Sequence, residues 1–177
     1  MQFETLFFNK IPCTMTKKGY REVTPSTFWA QAEKRFPGIS NAKGCYIFGL
    51  ATSGGGLRPY YVGQATKTFI QEVFAVRKRE HYHGCINDKY GTPVLILIPA
   101  VTQTGQYVKG KKDRLIDWVE TLLIGYALAK NPNLLNRQKT KNLSEAIIPG
   151  LLNTPQGKNN TKDSKALKKM LFGETQK

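Results

Sequence analysis

Gly44-Cys45-Tyr46-Ile47-Phe48-Gly49-Leu50, then Ser53-Gly54-Gly55-Gly56, then Pro59-Tyr60-Tyr61-Val62-Gly63: two runs rich in aromatic and aliphatic residues flank a glycine cluster. Such runs favour extended backbone, and the glycines supply the freedom a reversal needs, so the stretch predicts a β-hairpin. Pairing the two strands brings Tyr46 and Tyr61 near each other. The triple glycine is not a phosphate loop, because no helix opening on Lys and Ser or Thr follows it.

Working outward, a helix is predicted over residues 68–82, with Thr68 as cap and Gln71 in capping-box position. Ile70, Phe74, Arg77 and His81 follow at steps of four, three and four, which places Arg77 and His81 on one face. Val94 to Ile98 is a near-continuous apolar strand, the kind covered on both sides. Lys112 to Lys130 is a longer helix with Leu115, Val119, Leu122 and Tyr126 as its core stripe, ended by Asn131-Pro132. Upstream, Thr24-Pro25-Ser26 opens a helix running towards Phe36-Pro37-Gly38. The order strand, strand, helix, strand, helix predicts an α+β fold, with a small central three-stranded sheet flanked by helices and helical additions at both ends. Residues 1–43 form an N-terminal extension with one helix, 44–150 the core, and 151–177 a basic tail. In that tail Ala166, Leu167, Met170 and Leu171 oppose Lys165, Lys168 and Lys169 on a short amphipathic helix.

The 177 residues carry 27 Lys and Arg against 12 Asp and Glu, a net charge of +15 with a pI near 9.8. A surplus this large on a small domain points to a polyanionic partner, and nucleic acid is the commonest. A membrane partner is not expected. The longest apolar run, Pro93 to Val101, is too short to span a bilayer. Met1-Gln2-Phe3-Glu4-Thr5 lacks the basic and apolar segments of a signal peptide. Cys13, Cys45 and Cys85 are odd in number and widely spaced, which suggests a reducing, cytoplasmic setting without a disulfide framework. His81, His83 and Cys85 offer three potential zinc ligands, but no second cluster supplies the fourth that a closed site needs.

Glu120 has Ile116 and Ile124 four residues to either side and Leu123 at i+3. A carboxylate in that setting needs a basic partner or a metal ion, because burying it bare is costly. Arg77, one turn before His81, carries a planar fork suited to phosphate oxygens.

In chain order these pieces resemble the GIY-YIG nuclease family. Gly44-Cys45-Tyr46 and Tyr61-Val62-Gly63 stand for the two signature strands, Arg77 with His81 for the helical Arg and its partner, Glu120 for the helical Glu, and Asn136 for the Asn sixteen residues on. The resemblance covers roughly residues 44–137. It departs at Cys45, where the family has Ile, and at Gln64, a position often occupied by Lys. The longer stretch from Gly63 to Arg77 leaves Lys78, with Tyr82, and Arg79 as alternatives for the arginine part.

What the resemblance implies is a Mg²⁺- or Mn²⁺-dependent DNA endonuclease. Tyr61 would orient and deprotonate water with Tyr46 beside it, and Arg77 would stabilise the phosphoryl oxygens. His81 would bond a tyrosine or move a proton, Glu120 would be the metal ligand, and Asn136 would order the site. Two alternatives stand beside it: a ribonuclease on the same scaffold, and an inactive nucleic-acid-binding module in which Glu120 pairs with Arg77.

Overall fold

The computed structural model describes residues 1–108 and 114–136, with 161–163, 165, 166 and 170 of the tail. Its elements in chain order are β1 (Gln2–Phe3), β2 (Leu6–Phe8), β3 (Cys13–Met15), β4 (Arg21–Val23), α1 (Pro25–Arg35), β5 (Gly44–Ala51), β6 (Leu57–Ala65), α2 (Phe69–Glu72), α3 (Val76–Asp88), β7 (Thr92–Val101) and α4 (Arg114–Lys130). A short 3-10 turn, Ile39–Asn41, precedes β5. The fold is α+β with antiparallel sheets.

The hairpin forms as its residues dictate. β5 pairs with β6 on one side and β7 on the other, all antiparallel, with Tyr46 opposite Gly63 and Phe48 opposite Tyr61. Alternation along the pleat then sorts the side chains into two faces. Tyr46, Phe48, Leu95 and Leu97 join Phe28 and Ala32 of α1 and Phe74, Tyr82 and Ile86 of α3 in the main core. Cys45, Ile47, Ile96 and Ile98 pack instead on Ile116, Val119 and Leu123 of α4. Helices therefore cover both faces, which explains the near-continuous apolar run of β7.

The N-terminal region departs from the expected single helix. It also contributes four short strands, two of which, β1 and β2, pair with the outer edge of β7 and enlarge the expected three-stranded sheet to five. An edge strand left open presents unpaired backbone groups, and this arm covers them. Phe8 then packs on Phe28 with ring centroids 5.0 Å apart, tying the arm to α1. β3 and β4 form a separate two-stranded ribbon. It is fixed to α3 by His83, whose Nε2 accepts from the Val23 amide at 3.2 Å, and by Asn87, whose side chain pairs with the Arg21 backbone at 2.8 and 2.9 Å.

Two helices also differ from expectation. The predicted helix over 68–82 is broken into α2 and α3 by Ala75, which is extended at φ −56°, ψ 150°. Residues five apart on one helix point about 140° away from each other. The break lets Phe69 and Phe74 both enter the core, while Ile70 is left exposed. Thr68 precedes α2 but makes no side-chain cap bond. In α4 the buried residues are Ile116, Glu120, Ile124, Ala127 and Leu128, whereas Leu115, Leu122 and Tyr126 are exposed and Val119 is half-buried. The helix is apolar around most of its circumference, so periodicity alone did not select the stripe that meets the sheet. Residues 112 and 113, the 150/151 boundary and most of the expected tail helix lie outside the described residues. Among the described residues no helix is long and apolar enough to cross a membrane.

Candidate active site

Gly44 and Gly63 each have a steric reason. A Cβ on Gly63 would overlap the Cζ and hydroxyl of Tyr46, whose ring tip lies across it. One on Gly44 would overlap the Ile98 carbonyl oxygen and stand 2.9 Å from the Pro99 Cα, because β7 runs so close. A glycine inside a strand often marks such a close approach. With Tyr46 seated over Gly63, three rings follow one another. Tyr46 stacks on Tyr61 at 6.2 Å and 25°, and Tyr61 stacks on His81 at 6.1 Å and 21°. Tyr82 meets Tyr61 edge-on at 6.0 Å, stacks on Phe48 at 4.2 Å, and donates its hydroxyl to the Val73 carbonyl at 3.0 Å. Exposure rises along the series: Tyr46 is fully buried, Tyr61 half-buried and His81 open to solvent.

Electrostatics keep these tyrosines protonated. Burial raises the Tyr61 hydroxyl above its ordinary value, and the Glu120 charge adds to that; the approach of the Tyr46 hydroxyl opposes both. The Tyr46 hydroxyl is pushed well up, first by burial and then by Tyr82, Tyr61, Glu72 and Glu120. By strict distance and angle the Tyr46 hydroxyl has no partner, so its contacts with Tyr61 and Tyr82 are near approaches of imperfect geometry. Glu120, 8% exposed between the buried Ile116 and Ile124, thus acts on both tyrosines from α4.

Asn136 reaches the backbone of β6. Its Oδ1 accepts from the Val62 amide at 2.8 Å and its Nδ2 donates to the Val62 carbonyl, as a paired strand would. Leu135 donates its amide to the Tyr60 carbonyl at 2.8 Å, and the Asn131 Nδ2 donates to the Pro59 carbonyl at 2.7 Å. Residues 131–136 therefore close the outer edge of β6 and hold Tyr61 in place.

The three cations at the start of α3 diverge, because successive helix residues point about 100° apart. The Arg77 side chain is exposed, with no salt bridge or cation–ring contact among the described residues. Arg79 is half-buried, and its Nε has no partner. Lys78 is the one turned towards the tyrosines: its Nζ lies 5.3 Å from the Tyr46 ring centroid and 2.9 Å from Glu72 Oε2. Glu72 was not legible as a site residue, since its partner lies six positions on and across a helix break. Gln64 donates its Nε2 to Asp117 Oδ1 at 3.0 Å.

The zinc reading of His81, His83 and Cys85 finds no support in their placement. His81 faces Tyr61, His83 accepts from β4, and Cys85 is buried with its thiol pushed up to about 11 by desolvation. Among the described residues no three His, Cys, Asp or Glu side chains converge on a metal position. Glu120 is the one buried carboxylate among the described residues. All three cysteines are free.

Compared with known proteins, the chain matches no family model, no curated protein and no solved structure. The functional reading therefore rests on the geometry above.

Proposed function

We propose that this chain is a metal-dependent endonuclease of the GIY-YIG type that hydrolyses DNA phosphodiester bonds. One observation carries the reading: Tyr61 is held between Tyr46 and His81 while Glu120, from the opposite helix, acts on its hydroxyl. The chain order of β5, β6, α2–α3, β7 and α4 supports it as well.

Hydrolysis needs an oriented water, relief of charge on the phosphate and a stabilised leaving oxygen. Tyr61, the more accessible tyrosine, orients the water and, in its minority phenolate form, accepts the water's proton; Tyr46 sets the Tyr61 ring from the core side. His81, exposed and stacked on Tyr61, carries protons to solvent. Asn136 fixes the strand that bears Tyr61. The cation for the phosphoryl oxygens belongs to the run Arg77-Lys78-Arg79. Glu120 would hold one Mg²⁺ or Mn²⁺, a hard ion that takes oxygen ligands and would offset charge on the phosphate and leaving oxygen.

The tyrosine shift has a sign that can be measured. Burial and Glu120 disfavour phenolate, so its population keeps increasing with pH until it titrates above about 10. If Tyr61 is the base, the logarithm of the cleavage rate rises steadily through the alkaline range. A rate that does not change with pH across that range removes Tyr61 as the base.

A nicking assay on DNA and RNA, with Mg²⁺ against EDTA, tests the function. Cutting of DNA only with Mg²⁺ is the expected result. Cutting of RNA alone makes it a ribonuclease, and binding without cutting makes it a nucleic-acid-binding module. Binding itself is expected to be strongly salt-dependent: with about six phosphates neutralised, log K falls against log salt with a slope of about −5. A slope near zero removes nucleic acid as the reason for the +15 charge.

A further inference from the structure

Lys78, His81 and Tyr82 stand at i, i+3 and i+4 of α3 and so share the helix face that meets the tyrosines. His81 and Tyr82 both contact the Tyr61 ring, and the Lys78 ammonium lies over the ring of Tyr46. Its charge is met by Glu72, and both side chains are largely shielded, 19% exposed for Lys78 and 31% for Glu72. Glu72 comes from α2, before the extended Ala75, so the pair bridges a break in the chain. A carboxylate bound to an ammonium beside the tyrosines presents the charge and oxygen geometry of a phosphodiester oxygen.

We propose that Lys78 is the residue that carries the substrate phosphate, and that Glu72 is its stand-in, displaced when a nucleic-acid phosphate arrives. This rests on the nuclease reading for the identity of the substrate. The displaced Glu72 swings to solvent from its half-buried place, and the phosphate oxygen takes over its bond to Nζ. Because Glu72 competes with substrate, its removal must strengthen binding through Lys78 specifically. A general charge effect would not depend on which cation is present.

The test is duplex-DNA binding by the full chain in EDTA, where no cutting interferes, measured for the parent, Glu72→Gln, Lys78→Gln, Glu72→Gln with Lys78→Gln, and Glu72→Gln with Arg77→Gln. Charge-assisted contacts of this kind correspond to about tenfold in affinity. Glu72→Gln is expected to bind about tenfold tighter, to keep that gain in the Arg77→Gln background, and to lose it in the Lys78→Gln background. A gain that survives without Lys78 overturns the proposal. Should Glu72→Gln fail to melt cooperatively, Lys78→Gln alone decides: it must weaken binding about tenfold, flatten the salt slope by about 0.9, and be rescued by Lys78→Arg. Equal losses for Lys78→Gln and Arg77→Gln overturn it too. The parent's Mg²⁺-dependent cutting is scored separately. A parent that binds through Lys78 yet never cuts refutes the endonuclease and leaves the phosphate site standing.

Discussion

Gly63→Ala is expected to destabilise the protein by about 1–3 kcal/mol, the cost of inserting a methyl into a packed interior. For a chain of this length that corresponds to roughly 2–12 °C in Tm. The added Cβ would occupy the space of the Tyr46 ring tip, and Tyr46 is buried. Gly63 is not at a positive φ, so the penalty is one of volume and not of backbone strain. Cutting falls with it, because Tyr46 is one wall of the slot that holds Tyr61. A shorter side chain opposite should relieve the overlap. Gly63→Ala combined with Tyr46→Leu is therefore expected to cost less than the sum of the two single changes, by about 1 kcal/mol or more. Thermal or denaturant melts of the four proteins check this, and strict additivity would show that the ring and the glycine are not coupled.

Glu120→Gln is expected to abolish cutting while DNA is still bound. Gln keeps the shape of the side chain but cannot hold a divalent cation, and losing one charge-stabilising group at such a site typically costs about 10²–10³ in rate. A second readout needs neither metal nor DNA. Burial raises the Tyr61 hydroxyl most and Glu120 adds to it, so neutralising Glu120 is expected to bring that titration partway down, visible as phenolate absorbance at lower pH. A variant that melts cooperatively and cuts like the parent would falsify the assignment of Glu120. One that loses about 3–5 kcal/mol of stability places Glu120 in a structural ion pair instead.

What could be read from the sequence was whatever depends on neighbours in the chain. Alternation and the glycine cluster set the β5–β6 hairpin, the apolar run from Val94 set β7, and Asn131-Pro132 ended α4 where the helix stops. The paired glycines and tyrosines of Gly44-Cys45-Tyr46 and Tyr61-Val62-Gly63 pointed to residues that the strands bring together. Their reason is steric and appears only when the strands are in register, Tyr46 over Gly63 and β7 against Gly44.

Other decisions belonged to the tertiary structure. Which stripe of α4 is buried depends on the sheet it meets, since Leu115, Leu122 and Tyr126 are as apolar as the residues that were chosen. Whether residues 68–82 form one helix depends on a core that takes both Phe69 and Phe74, and the resulting break sets the phase of α3. That phase points Lys78 at the tyrosines and Arg77 at solvent. Charge, composition and motif order supplied an expected class of partner and a set of candidate residues. Only packing decided which cation faces the site and what holds it there, because a one-residue change in helix phase costs little locally and moves a side chain by about 100°.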